Sequence, residues 1–244
     1  MKKVNDLLNY NGLKIVQNTE WFNFSLDSVL LAYFAQLKDN MKIIDLCTGN
    51  APIPLFLSTK TNSKIIGVEL QKEVYELAKK SVAINNLCSQ INIINEDVNN
   101  IVNLFDSDTF DLITCNPPYF KNYKDSIINE NYIKAIARHE IKLKLDDIFL
   151  CARKILKNKG KIVLVHRTER LIDIITIMRK LNIEPKRIRF VYPFSDSLSN
   201  LVLIEGVKNG KTGLKIEKNL VIHNNDGTYT NEVKDIFKGG KNED

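Results

Sequence analysis

Asn116-Pro117-Pro118-Tyr119 is the run of residues in this chain with the most specific chemistry to offer. The Asn116 side-chain oxygen and the Pro117 carbonyl can together accept both N–H bonds of a planar amino group. The lone pair of such a nitrogen is delocalised into a ring or carbonyl, so it is a poor nucleophile. Two fixed acceptors favour its rehybridisation and hold it in line with an electrophilic carbon. Neither has to be a strong base. Tyr119 adds a ring face for a flat group, worth about 1–3 kcal/mol by analogy with aromatic stacking platforms. The prolines keep the acceptors from collapsing away. Asn116, Pro117 and Tyr119 are therefore catalytic candidates for group transfer to an exocyclic amine.

Three further acidic positions could serve a nucleoside cofactor. In open α/β sheets ligands sit outside the carboxyl ends of the strands. Asp45-Leu46-Cys47-Thr48-Gly49-Asn50-Ala51 reads as a tight turn after a strand, letting backbone amides and the acidic residue approach a bound cofactor. Glu69 follows Gly49 by twenty residues, a spacing that suits a carboxylate accepting hydrogen bonds from ribose hydroxyls. Asp97 could accept a bond from an adenine amino group. None of these separates a nicotinamide dinucleotide from other nucleoside cofactors, whereas the Asn116–Tyr119 run does.

The elements that must position these residues follow from apolar periodicity. Short apolar runs at 42–47, 64–69, 91–94 and 110–115 read as strands, and each ends at or beside one of the groups above. Val74, Leu77, Ala78, Ser81 and Val82 recur at helical spacing. A helix with inner face Ile148, Cys151, Ala152 and Ile155 is capped by Asp146 or Asp147 and stopped by Gly160 in a left-handed conformation. Strand 161–165 follows, then a helix from Thr168 carrying Leu171, Ile174, Ile175 and Met178. Strands 187–192 and 200–207 close the pattern with no helix between them. The expected fold is a Rossmann-like α/β domain: a mostly parallel seven-stranded sheet with helices on both faces and a terminal antiparallel hairpin. One domain over 1–244 is expected, with 1–40 as a lid or helix covering the cofactor, 41–207 as the catalytic core and 208–244 as an extension ending in a disordered GGKNED.

Bulk composition narrows the classes. The 244 residues are 44% hydrophobic and 26% charged, an ordinary globular balance. No signal-peptide stretch opens the chain and no run of about eighteen apolar residues occurs, so a cytoplasmic protein off the membrane is expected. Cys47, Cys88, Cys115 and Cys151 lack CxxC spacing, and His139, His166 and His223 match no ligand pattern; free thiols and no metal are expected. The string at His166 reads as a strand end and helix start. Net charge is +6, and residues 151–190 hold 12 Lys/Arg against 3 Asp/Glu. Such a stretch could follow a phosphate backbone or simply form solvated helix faces.

Over roughly residues 20–235 the sequence resembles the bacterial adenine N6-methyltransferases that modify position 37 of valine tRNA. The matching segments are SLDSVLLAYF, DLCTGNAPIP, GVEL, CNPPYF, ARHE at 137–140, KGKIVLVHRTERL and DGTYTNEV. The resemblance implies S-adenosylmethionine as cofactor and tRNA as partner, with a monomer expected. It implies cofactor contacts from Asp27, Asp45, Cys47, Gly49, Asn50, Glu69, Leu70, Asp97, Val98 and Asn116, with Asp27 and its neighbours over the methionine end. Cys47 and Ala51 depart from the glycines usual there. Arg138 and His139 could contact RNA or join a loop salt bridge with Glu140. The same Asn-Pro-Pro-Tyr run would also suit the amide of a glutamine in a release factor, although those enzymes usually carry a long helical N-terminal domain. A third alternative is an RNA-binding relative without catalysis.

Overall fold

A computed structural model describes residues 2–7, 12–18, 25–118 and 143–238. An antiparallel hairpin of β1 (Lys2–Asp6) and β2 (Lys14–Asn18) precedes helix α1 (Leu26–Phe34). The core then alternates β3 (Ile43–Leu46), α2 (Pro52–Ser58), β4 (Ile65–Glu69), α3 (Lys72–Ile84), β5 (Ile91–Asn95), the short α4 (Ile101–Leu104) and β6 (Phe110–Cys115). After the segment 119–142 come α5 (Leu145–Ile155), β7 (Leu156–Arg167), α6 (Leu171–Lys180), β8 (Ile183–Tyr192) and β9 (Leu201–Lys208). The last described elements are β10 (Lys215–Ile216), β11 (Leu220–Val221) and α7 (Asn231–Phe237).

The large sheet runs β5-β4-β3-β6-β7-β9-β8-β10, with β11 also pairing β8. Among the described strands of this sheet only β9 is antiparallel to its neighbours, so the carboxyl ends of the others share one edge. The strand period of two sends successive residues to opposite faces. Ile43, Leu112 and Val163 pack with α1, α2 and α3, while Ile44, Ile113 and Leu164 pack with α5 and α6. A sheet covered on both faces needs apolar residues at both alternations, which is why its inner strands read as unbroken runs.

Four local differences from the sequence pattern have physical reasons. Among the described residues the sheet has nine strands where the spacing predicts seven, because the two-residue strands β10 and β11 of the extension pair in parallel with β8. Such short strands carry no readable alternation. The opening segment includes a β-hairpin as well as a helix. Asp147 does not cap α5 from outside; its side chain accepts from the Lys144 backbone N–H at 2.8 Å, one turn into the helix. Lys159, with φ of 66°, takes the left-handed position expected of Gly160. Gly160 is needed for closeness instead, since an added Cβ would lie 2.9 Å from the Lys157 carbonyl and 3.1 Å from that of Phe110.

Half of the basic stretch is engaged in ion pairs. Lys157 pairs with Asp111, Lys161 and Arg187 with Glu205, Arg170 with Asp173, Arg179 with Glu184, and Arg189 with Glu232. Arg187 also bonds Glu217 and the Phe34 carbonyl, and lies over the Phe34 ring at 4.0 Å, so it clamps the β8–β9 hairpin to the end of α1. Half of the twelve cations are thus spent on internal pairing, from β7 through α6 to β8. Among the described residues no helix is long and apolar enough to cross a membrane.

Candidate active site

Strand order reverses between β3 and β6, and this switch point is where the loop after β3 and the Asn116-Pro117-Pro118 run emerge side by side. The loop is conformationally unusual. Cys47, Gly49 and Ala51 have φ of 59°, 58° and 72°, alternating left-handed residues through the turn. A left-handed residue with a Cβ costs roughly 1–2 kcal/mol, so Cys47 and Ala51 keep a glycine geometry at some expense. Pro52 then opens α2, where its missing N–H loses nothing.

Asp45 is expected from sequence to approach the cofactor itself. The structure gives it no exposed surface. Its Oδ2 accepts from the Thr48 hydroxyl and its Oδ1 from the Thr114 hydroxyl, each at 2.6 Å. Asp45 therefore ties the loop to β6 from behind. Burial pushes its carboxyl pKa up to about 7, outweighing the two hydroxyl bonds that lower it; the nearby Glu69 adds a smaller upward push. A folded-state pKa raised above 3.8 means the folded protein binds the proton more tightly. This group's contribution is hence most favourable below about pH 4 and is lost as pH rises toward 7, by ~4 kcal/mol in all. Asp45→Asn has no such titration. Its stability relative to wild type, from urea unfolding at several pH values, is expected to improve from pH 4 to 7 and level off above; a difference that does not change with pH would refute the assignment.

Glu69 lies at the end of β4, 7% exposed. Its carboxylate accepts from the Gly49 N–H at 3.0 Å and the Gln71 N–H at 2.9 Å, so it braces the loop. Burial raises its pKa, against the pull of these amide bonds. Next to it, Asn95 at the end of β5 donates to the carbonyls of Glu69 and Leu70, and the half-buried Asp97 accepts from Asn99 N at 2.9 Å. Val98 is buried beneath Asp97 in the same turn. Gly49, Glu69, Leu70, Asp97 and Val98 are thereby gathered along three neighbouring strand ends.

Asn50 has a partner that the sequence does not suggest. It is buried, and its Nδ2 donates to the Val16 carbonyl at 3.0 Å, fastening the hairpin strand β2 over the loop. Ser81 of α3 bonds the Val16 N–H from the other side. Cys47, half-buried, packs against a cluster that includes Cys115 and Cys151. His166 is a strand-end residue as read from sequence: its Nδ1 accepts from the Arg167 N–H at 2.8 Å. Burial, then the Arg170 charge, lower its pKa to about 4, so it is neutral at pH 7.

Asn116 is half-buried, Pro117 buried and Pro118 exposed at the carboxyl end of β6. The Asn116 Nδ2 donates to the Ser28 hydroxyl of α1 at 3.1 Å. Asp27, also half-buried, stands beside Ser28 in the first turn of that helix. Tyr119, Arg138, His139 and Glu140 lie outside the described residues. Sequence reasoning missed Ser28, Thr48 and Thr114 as parts of the site. Thr114 had a signal, a polar residue in an apolar strand one place before Cys115. Ser28 had none beyond its place in SLDSVLLAYF.

A doubly wound sheet ending in an antiparallel hairpin, with a strained loop, a bracing carboxylate and Asn-Pro-Pro at the switch point, defines a Rossmann-like S-adenosylmethionine-dependent methyltransferase. Residues 37–182 match the protein family described as "Methyltransferase domain", and the chain belongs to that family. A Parabacteroides distasonis protein named tRNA1(Val) (adenine(37)-N6)-methyltransferase is 28% identical over 73% of this chain and 74% of its own length. A Shewanella woodyi protein of the same name is 25% identical over 88% and 90%. The crystal structure of a predicted O-methyltransferase from Agrobacterium tumefaciens superposes with a TM-score of 0.70 at 18% identity, covering 88% of this chain and 96% of that one, which speaks for the fold.

The residues present fit S-adenosylmethionine. Among the described residues an added Cβ on Gly49 would meet nothing within 4 Å, so the loop presents an open face beside the Glu69 carboxylate that accepts the Gly49 N–H.

Proposed function

We propose that this chain methylates N6 of an adenine in RNA, namely adenine 37 in the anticodon loop of valine tRNA. The observation that carries the reading is the placement of Asn116 at the switch point beside the cofactor loop, with its amide held by α1. The names of the relatives support tRNA as the substrate class.

S-adenosylmethionine supplies a methyl group on a positively charged sulfur, open to attack by nitrogen. The chain's part is to bind, orient and activate. Asn116 Oδ1 and the Pro117 carbonyl accept the two N6 protons, drawing the lone pair out of the ring and aiming it. Once the nitrogen has a fourth bond it is acidic, and one proton leaves without a strong base. Tyr119 would offer a stacking face to the adenine, which must leave its neighbours in the loop to reach the site. Glu69 would accept from the ribose hydroxyls while bracing Gly49, Asp97 would accept from the cofactor's adenine amine, and Cys47, Leu70 and Val98 would hold the cofactor from the same strand ends. Asp27 would cover the methionine end. Asp45 and Asn50 act from behind, one fixing the loop to β6 and the other fixing it to β2.

Nucleoside mass spectrometry of tRNA from strains with and without the gene tests the reading. N6-methyladenosine is expected in valine tRNA of the parent and absent from the deletion. Unchanged tRNA together with loss of a methylated glutamine from a release factor would transfer the assignment to the amide-methylating alternative.

A further inference from the structure

We propose that Ser28 is a positioning residue for this reaction: its hydroxyl oxygen holds the NH2 end of the Asn116 amide and so turns the Oδ1 end toward the substrate amine. The inference rests on the reaction proposed above and adds a residue to its machinery.

The two ends of an asparagine amide have nearly the same shape, and half a turn about the last side-chain torsion exchanges an acceptor for two donors. A substrate amine offers N–H donors to this group. An Asn116 that presented its own NH2 would set donor against donor, so a site that depends on this amide has to engage the NH2 end elsewhere. Ser28 Oγ meets Nδ2 at 3.1 Å across 88 residues of sequence.

The hydroxyl is also carried rigidly. Ser28 is 4% exposed, and its N–H donates to the Ser25 carbonyl at 3.2 Å in the first turn of α1. The next three residues, Val29, Leu30 and Leu31, are at most 1% exposed. They anchor a helix that packs on α2, β7, β9 and α7. A helical serine ordinarily bonds its own helix or solvent; here it meets the residue that follows β6 at the switch point. Asp27 precedes Ser28 in the same first turn of α1.

Single-turnover methylation of an anticodon stem-loop RNA, with wild type, Ser28→Ala, Ser28→Thr, Asn116→Ala and the Ser28→Ala/Asn116→Ala double variant, tests the idea. Ser28→Ala is expected to slow methyl transfer roughly tenfold, the scale of one neutral hydrogen bond. S-adenosylmethionine Kd, RNA half-saturation and Tm should stay near wild type, and Ser28→Thr should recover most of the rate. The double variant should be no slower than Asn116→Ala alone, because Ser28 acts only through that amide. Additive losses in the double variant, or a fall in Tm or cofactor affinity that tracks the rate, would overturn the inference in favour of a packing role. A wild type that leaves no label in RNA removes the proposed reaction and this inference with it. A wild type that methylates RNA, beside an equally fast Ser28→Ala variant, removes this inference alone.

Discussion

Asn116→Ala is expected to lower the single-turnover methylation rate by about 10²–10³-fold, the cost of deleting one preorganised hydrogen-bonding group at a reacting centre. That corresponds to ~2.7–4 kcal/mol of transition-state stabilisation. The effect should fall on the chemical step because the proposed partner of Oδ1 is the amine, whose protons become better donors as the nitrogen gains positive charge. Cofactor affinity should hardly move, since Gly49 and Glu69 bond each other without help from Asn116. Isothermal titration with S-adenosylmethionine and a rapid-quench methylation assay separate the two quantities. Affinity and rate falling together would mark Asn116 as a pin between β6 and α1 and nothing more.

The second large effect belongs to the cofactor side. Glu69→Ala deletes the acceptor for the Gly49 and Gln71 amides at once. An unsatisfied buried donor costs about 1–3 kcal/mol, and the loop can escape that cost only by abandoning its left-handed geometry. The expected result is a rise of roughly 100-fold in the Kd for S-adenosylmethionine, with a smaller loss of rate when the cofactor is saturating. Glu69→Gln, which keeps one acceptor oxygen, should fall between the two. Titration of the variants by calorimetry checks this order. A Glu69→Ala protein that binds cofactor normally would show that the loop holds its shape without the carboxylate.

Much of the frame was legible because it is written in local patterns. Strand runs ending at Leu46, Glu69, Asn95 and Cys115 are short-range signals, and a doubly wound sheet follows from strands alternating with helices. The Asn-Pro-Pro run announces itself because few other uses exist for those residues at a strand end. Residue type alone does not say what Asp45 and Asn50 bond. Both have the chemistry to touch a cofactor, yet one is enclosed by two threonine hydroxyls and the other is turned toward Val16. The charge of 151–190 is contiguous in sequence, yet half of it is divided among carboxylates as distant as Asp111, Glu205 and Glu232.

The amino-acid order by itself determined which residue types arrive at the edge of the sheet, since the alternation of apolar runs and acidic or amide ends is a property of a few consecutive residues. Which of those groups face inward as braces and which stay open to a ligand was decided only by the tertiary structure. Hydrogen bonds such as Thr114 to Asp45 and Asn116 to Ser28 join positions 69 and 88 residues apart, and no local propensity encodes a partner at that range.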